Sequence, residues 1–478
     1  MALTTHTYRD ALYVDGQWRS TEDTIEVTDL ADGGTFATVA AANEADAATA
    51  LAAAATVQPT MRNTTAVERA NWMTAIAAGI DDRADELATV IVREAGKPIS
   101  SAKSEVAAAA ERFRRAAEEI RAISGEFLEG TTASHEGWQA IVKRQPVGTV
   151  LCISPYNYPL ATMAQQVAPA LVAGNAVIVK PATYTPVSGV ILAEIIDDAV
   201  PNLPAGAFGF VPGPSSEIGD VLAGDDRVDA IAMTGSTEAG KHIAAISGMV
   251  ELHFELGGNA PAIVFADADL ENAAMAATKG GLSYAGQRCS AVSRVLVAAE
   301  VHDDLVEQID GAMTAWQAGD LFDSETSFGP LITEAHAHRV RSLVNDALDR
   351  GATLVRGGVV DGQYMEPTLL ADVPAGADIL TEEQFGPVVA VAGFADESEA
   401  LAMANDTTLG LDAAVFTDAY DRAFRVAGGL DVGGVRINGR PSHGGGDIPY
   451  GGVKDSGIGR EGIHYTIERF LDSKTIIL

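Results

Sequence analysis

The spacing of apolar and polar positions divides the chain in two. Up to Val147, helical spacing dominates. "NEADAATALAAAATV" from Asn43 and "AVERANWMTAIAAGIDDRADELATVIVREAG" from Ala66 carry apolar residues at steps of three and four, which predicts two amphipathic helices. The second runs to Gly96 with Pro98 behind it, an ordinary helix stop. "SEVAAAAERFRRAAEEIRAI" predicts a third helix. Ahead of them, "YVDGQW" (Tyr13 to Trp18) sets Asp15-Gly16 between short apolar runs and predicts a hairpin.

From Val147 the texture changes. "VGTVLCIS", "NAVIVKP", "AFGFVP" and "AIAMTGS" are β-rich runs separated by helical stretches such as "PLATMAQQVAPALVAG" and "GVILAEIIDDAV". Strand and helix in alternation predict a parallel sheet covered on both faces. Ligands bind such sheets beyond the carboxyl ends of the strands. After Gly257 the alternation repeats through "APAIVFAD", "RVLVAAE", "VVAVAGF", "AAVFTD" and "GGVRIN", which predicts a second α/β unit. The tail ends in "KTIIL", a strand whose edge would be unpaired on its own and which another subunit would satisfy. At 478 residues, two or three domains are expected.

Charge narrows the partners. Asp and Glu number 66 against 32 Lys and Arg, for a formal net charge of −34, and they are spread along the chain. Such a surface repels nucleic-acid backbones and anionic membranes. It also strains the compact state in low salt. The expectation is a salt-adapted, halophilic protein; the alternative is an acidic mesophilic one. Two cysteines are too few for a disulfide framework. The start "MALTTHTYRD" lacks a signal-peptide pattern, and no stretch is apolar enough to span a bilayer, so the cytoplasm is expected. No residue cluster points to a metal.

Few positions carry candidate chemistry. Cys289, in "SYAGQRCSAV", stands beside Arg288 among small and polar residues, whereas Cys152 lies inside the apolar run "TVLCIS" and reads as a core thiol. A nucleophilic thiol must become a thiolate, which a positive neighbour promotes. Glu255, in "ELHFELGGNAP", follows a strand and precedes a Gly-Gly step; desolvation there would raise its pKa toward that of a base near neutrality. His253 shares its strand face and is a rival base. Asn157, bracketed by prolines in "ISPYNYP", is a candidate oxyanion donor, or simply a turn residue. Lys180 closes a strand in "IVKPATYTP". "MTGSTEAGKHIAA" sets Gly235 and Ser236 between strand and helix, a natural pyrophosphate site or merely an N-cap. The usual G-x-G-x-x-G dinucleotide fingerprint is absent.

Together these segments resemble the aldehyde dehydrogenase superfamily over nearly the whole chain. "PYNYP", "KPA", "MTGSTEAG", "FELGGNAP", "GQRCS", "EEQFGP" and "PYGGVKDSGIGREG" stand in family order. The resemblance implies two doubly wound, Rossmann-like parallel-sheet domains and a β-strand oligomerisation arm. It places the NAD(P)-binding domain at 1–122 and 146–256, the catalytic domain at 257–445, and the arm at 123–145 and 463–478. It implies Cys289 as nucleophile, Glu255 as general base and Asn157 as oxyanion donor with the Cys289 backbone N–H. Lys180 matches the adenosine-ribose lysine, and Gly235 and Ser236 the pyrophosphate contact. Glu383 and Phe385 match positions around the nicotinamide ribose, with Pro155 and Leu256 also on the cofactor.

One position departs from the NAD-preferring pattern. Thr183 stands where many such members carry a ribose-binding glutamate, which would repel a 2′-phosphate. Thr183 therefore implies NADP as the preferred cofactor, with NAD as the other.

"GQRCSAVSRVLV", Thr183 and "GIHYTIE" resemble the branch of non-phosphorylating glyceraldehyde-3-phosphate and lactaldehyde dehydrogenases. There Tyr158 and Arg288 match phosphate-binding positions, while Ala108 and His443 replace two arginines. The implied substrates are hydroxy-aldehydes, semialdehydes or the phosphorylated triose, with His443 a further substrate contact. A homodimer or homotetramer is implied. The rival classes are a CoA-acylating enzyme, which would lack the base glutamate, and a non-catalytic nucleotide-binding or structural relative.

Overall fold

The computed structural model describes residues 8–442 and 446–478. The hairpin forms as expected, with Tyr13 opposite Trp18 and both turn residues, Asp15 and Gly16, at positive φ. Its strands Leu12–Val14 and Gln17–Arg19 join the edge of an eight-stranded sheet. The centre of that sheet is parallel: Phe208–Phe210, Ala176–Lys180, Thr149–Ile153, Ala230–Thr234 and Glu251–Glu255 lie side by side in that order. The first four of these strands are almost wholly buried, as their apolar runs require when helices cover both faces.

The second sheet has seven strands. Thr368–Ala371, Val388–Phe394, Val292–Ala298, Ala260–Val264, Asp412–Phe416 and Gly434–Ile437 run parallel in that spatial order, and Thr353–Arg356 adds an antiparallel edge. The two α/β units are not isolated. Tyr284 and Leu321, from the second half of the chain, are buried in the apolar core of the first. Strand Gly457–Ile458 returns to pair with Phe254 and Glu255.

The helical region differs from expectation at two points. The long run from Ala66 is two helices, Ala66–Asp82 and Ala84–Ala95. Arg83 leaves helical geometry at φ −108° and ψ 21°, and its guanidinium binds Glu86 in the next helix and Glu194 of a neighbouring one. Periodicity continues across the break, so spacing alone does not reveal it. The third helix begins earlier than expected, at Ile99 directly after Pro98.

The tail strand Leu471–Ile477 finds a partner on one side within its own chain and remains the edge strand of its sheet. It pairs along its whole length with Gln139–Pro146, and Glu126–Glu129 completes a three-stranded sheet. That sheet keeps Phe127, Leu128, Ile477 and Leu478 exposed. Among the described residues, no helix is long and apolar enough to cross a membrane.

Candidate active site

Cys289 is carried by a strained loop. After helix Leu270–Leu282, Tyr284, Ala285 and Gly286 take φ of 55°, 52° and 73° in succession. Left-handed backbone at a tyrosine and an alanine costs energy and persists only where the surroundings enforce it. Gly286 lies so close to the Gly386 carbonyl that a methyl there would collide with it. Gln287 anchors the exit, its Oε1 accepting from Ile332 N (2.9 Å) and its Nε2 donating to Pro330 O (3.2 Å).

The loop brings Cys289 Sγ to 3.4 Å from Tyr450 Oη. Burial pushes the thiol up to about 12; the Tyr450 contact and Arg288 oppose that, while Glu255 and Asp412 add to it. At neutral pH the resting sulfur is therefore protonated, and a base is needed to release it.

Glu255 is the last residue of its strand and is 3 % exposed. Burial, then the charges of Glu461 and Asp412, hold its pKa well above the usual carboxylate range; Arg460 and the Gly452 backbone pull the other way. A methyl on Gly451 would stand 2.8 Å from its Oε1, so this glycine leaves room for the carboxyl group. The rival base His253 packs edge-on against Phe470 instead (6.0 Å between centroids), and burial pulls its pKa down to about 4.

Asn157 Nδ2 donates to the Gln287 carbonyl at 2.8 Å, two residues before Cys289. An amide NH2 has two protons, so one remains to point at a developing oxyanion. Cys152 is fully buried in its strand, as expected, and burial raises its pKa far above normal.

Arg288 is 8 % exposed; its Nη2 donates to Ser290 Oγ (3.1 Å), and its Nη1 has no partner among the described residues. Arg440 and Arg112 were not singled out from sequence. Arg440 is held below the usual arginine range by burial and by the charge of Arg288, and it also senses Tyr158. Arg112 donates from Nε to Gln165 Oε1 at 2.7 Å and lies within electrostatic reach of Tyr158. Cations thus gather around Tyr158. Asp412 was missed as well. It is an aspartate opening an otherwise apolar strand, which was the available signal, and burial pushes it up to about 7 while Arg288 opposes. Tyr450 and Glu461 lie within or beside a quoted motif that gave no hint of their contacts. His443 lies outside the described residues.

The nucleotide candidates fall on the carboxyl ends of the first sheet. Lys180 is buried, its Nζ reaching only the Pro181 carbonyl at 3.3 Å, and burial pulls its pKa down to about 8. A buried ammonium with no carboxylate partner suits an anionic or polyhydroxyl ligand. Ser236 caps helix Thr237–Ile246, accepting from Ala239 N at 3.2 Å, so the N-cap role is realised at a helix end that favours anions. Gly235 N donates to Glu255 O at 3.1 Å, which links this turn to the base. Leu256 packs against Gly240 of that helix. Pro155 is partly exposed just past its strand.

Glu383 reaches across from the second unit. Its Oε1 accepts from Gly258 N at 3.0 Å, and a methyl on Gly257 would stand 2.6 Å from its Oε2 and 3.0 Å from Thr237 Oγ1. Burial pushes its carboxyl up to about 7. Phe385 holds φ 51°, fixed by edge contacts with Tyr156 and His336 and by the 2.8 Å contact of His336 Nε2 with its carbonyl. Thr183 is partly exposed beside a cavity of about 520 Å³ shared with Tyr184 and Gln363. The lone Lys180, the open helix N-terminus and Glu383 opposite it fit a dinucleotide.

A doubly wound sheet with these residues at its strand ends, and a second unit carrying a buried thiol within electrostatic reach of a buried carboxyl group, fit a nicotinamide-dependent oxidoreductase with a cysteine at its centre. The chain belongs to the aldehyde dehydrogenase family, whose model matches residues 18–476. It is 36 % identical over 478 residues to a glutarate-semialdehyde dehydrogenase of Pseudomonas putida, covering 98 % of each chain. It is 36 % identical to an NADP-dependent glyceraldehyde-3-phosphate dehydrogenase of Streptococcus equinus, covering 97 % of this chain and 98 % of the other. Among solved structures, the NADP complex of the NADP-dependent glyceraldehyde-3-phosphate dehydrogenase of Bacillus halodurans superposes with a TM-score of 0.96 at 35 % identity, covering 99 % of both chains. Lactaldehyde dehydrogenase of Escherichia coli superposes at 0.95 and 34 % identity, covering 99 % of this chain and 100 % of the other. The chain is an NAD(P)-dependent aldehyde dehydrogenase.

Proposed function

We propose that the protein oxidises a small aldehyde with an anionic tail to the carboxylic acid, with NADP preferred over NAD. The observation that carries the substrate class is the buried Arg288, whose Nη1 has no partner among the described residues and which shares its surroundings with Arg440. Two guanidinium groups that form no salt bridge with a carboxylate among the described residues invite a carboxylate, sulfonate or phosphate. Semialdehydes and glyceraldehyde-3-phosphate both carry such a tail. His443, the other assigned substrate contact, is proposed to contact the same substrate.

In this reading Glu255 takes the Cys289 thiol proton, and the thiolate adds to the aldehyde carbon. The carbonyl pair moves onto oxygen, and Asn157 Nδ2–H donates to that oxyanion. Removing such a donor costs about 2.7–4 kcal/mol of barrier. A bound nicotinamide ring supplies the acceptor for the carbon's hydrogen and its electron pair, leaving a thioester on Cys289. Glu255 gives the thiol proton up to solvent while the thioester stands, then takes a proton from water as the water oxygen adds, and the Cys289 thiolate leaves as the acid departs. Lys180, Gly235 and Ser236 hold the adenosine and phosphate end of the dinucleotide. Glu383, Phe385, Pro155 and Leu256 hold the other end, and Thr183 leaves room for a 2′-phosphate.

The presence of Glu255 favours hydrolysis over transfer to CoA, and the full set favours an enzyme over a binding relative. Two cysteines with no disulfide between them suit the reducing cytoplasm. The exposed apolar residues on the three-stranded sheet are proposed to pair subunits.

A panel of neutral and anionic aldehydes, assayed with NADP and NAD, tests the reading. Higher kcat/KM for anionic substrates is expected, falling at least about tenfold in Arg440→Ala while neutral substrates change little. Equal preference for neutral aldehydes would contradict the anion assignment.

A further inference from the structure

The two loops that meet at the site are tied together from behind. Lys97 and Glu105 form an ion pair whose side chains are 1 % and 0 % exposed. Lys97 follows Gly96, the left-handed cap of helix Ala84–Ala95, and Glu105 lies on helix Ile99–Glu119. A buried pair of this kind adds little net stability over apolar residues of the same volume. Its surroundings point to a different use.

Glu105 Oε1 accepts from the backbone N–H groups of Leu160 (3.1 Å) and Ala161 (3.2 Å). These open helix Pro159–Ala173, directly after Asn157 and Tyr158. The carboxylate therefore caps the helix that carries the oxyanion donor, a favourable position for a negative charge. Lys97 Nζ stands 3.4 Å from the centre of the Tyr158 ring and 4.6 Å from that of Tyr284. The two rings meet at 6.1 Å, inclined by 72°. Tyr284 begins the left-handed run that delivers Cys289, and its Oη donates to the Ala95 carbonyl at 2.6 Å. One ammonium thus grips a ring on each loop, with the attraction of a desolvated cation for aromatic faces.

We propose that Lys97 and Glu105 are positioning residues that hold the Asn157 amide and the Cys289 loop in register for addition to the aldehyde. Neither touches substrate. The inference rests on the roles assigned above to Cys289 and Asn157. A shift of about 1 Å between reacting groups costs roughly 100-fold in rate, so loss of the clamp falls on the chemical step and not on cofactor binding.

The test is a double-mutant cycle on the full chain, read by the rate of the NADPH burst. Lys97→Met with Glu105→Gln removes both charges at similar volume. The burst rate is expected to fall by roughly 100-fold, with the Kd for NADP unchanged. In an Asn157→Ala background, the same pair of substitutions is expected to cost clearly less than in the parent, because the part of the loss that runs through Asn157 is already gone. Lys97→Arg, which keeps charge and ring stacking, is expected to restore most of the rate. If the double variant does not fold, Tyr284→Phe, which breaks only the bond to Ala95, replaces it in the cycle with a smaller loss expected. An unchanged burst, or costs that add fully with Asn157→Ala, would overturn the proposal. A parent enzyme with no thiol-dependent burst would instead overturn the assignment of Cys289.

Discussion

At the scale of single residues, burial sets the chemistry. Burial pushes the Cys289 thiol up to about 12 and holds Glu255 well above the usual carboxylate range, which makes the ionised Glu255 a stronger proton acceptor. That environment explains why Cys289 is not self-activating and needs a base near it. Thr183 offers a sharper residue-level test. A glutamate there would place a carboxylate against a 2′-phosphate, which costs affinity through like-charge repulsion. Thr183→Glu is expected to lower kcat/KM for NADP and raise the ratio for NAD by at least about tenfold; steady-state kinetics with both cofactors give the answer, and an unchanged ratio would remove Thr183 from the cofactor site. The residues named from sequence were those set in short, recognisable segments. Asp412, Arg440 and the Lys97–Glu105 pair were not, because their meaning lies in contacts across more than a hundred residues of chain or between separate helices.

At the scale of elements, the strands were the most legible. "NAVIVKP" and "AIAMTGS" became Ala176–Lys180 and Ala230–Thr234 because a fully buried parallel strand must be continuously apolar. The positions of Lys180 and Glu255 at strand ends followed from the same reasoning. Helix ends were less legible. The break at Arg83 depends on Glu194, which lies 111 residues away, and no local spacing announces it. The left-handed run Tyr284–Ala285–Gly286 was equally hidden, since two of its three residues ordinarily avoid that backbone. The tail strand was read correctly as a strand. Its partner, Gln139–Pro146, was not, because antiparallel pairing across 325 or more residues leaves no local trace.

At the scale of the whole molecule, charge and buried acids act together. Glu94, Glu383, Asp412 and Glu461 are each pushed up to about 7 by burial, while in the unfolded chain they titrate near ordinary carboxylate values. The folded state therefore binds more protons than the unfolded one through the window from about 4.5 to 7, and stability falls as pH rises through it. His253, lowered to about 4, works in the opposite sense but is finished by about 6.5, its unfolded value. Above that, the acids and the net charge of −34 pull together. The Tm is expected to drop between pH 6.5 and 8 in dilute buffer and to drop less in molar salt, which screens surface repulsion; differential scanning calorimetry at both salt levels checks this, and a Tm that rises with pH would contradict it. Full activity in dilute buffer would further exclude salt adaptation. The cycle as a whole hangs on the division of labour between Cys289 and Glu255, and rapid-mixing measurement of NADPH formation by Glu255→Gln, against Cys289→Ser, tests it most directly. A burst approaching one NADPH per subunit followed by much slower turnover is predicted for Glu255→Gln at a pH high enough for thiolate to form unaided, with no burst for Cys289→Ser. A burst that survives in Cys289→Ser, or a Glu255→Gln enzyme that turns over at the parent rate, would contradict it.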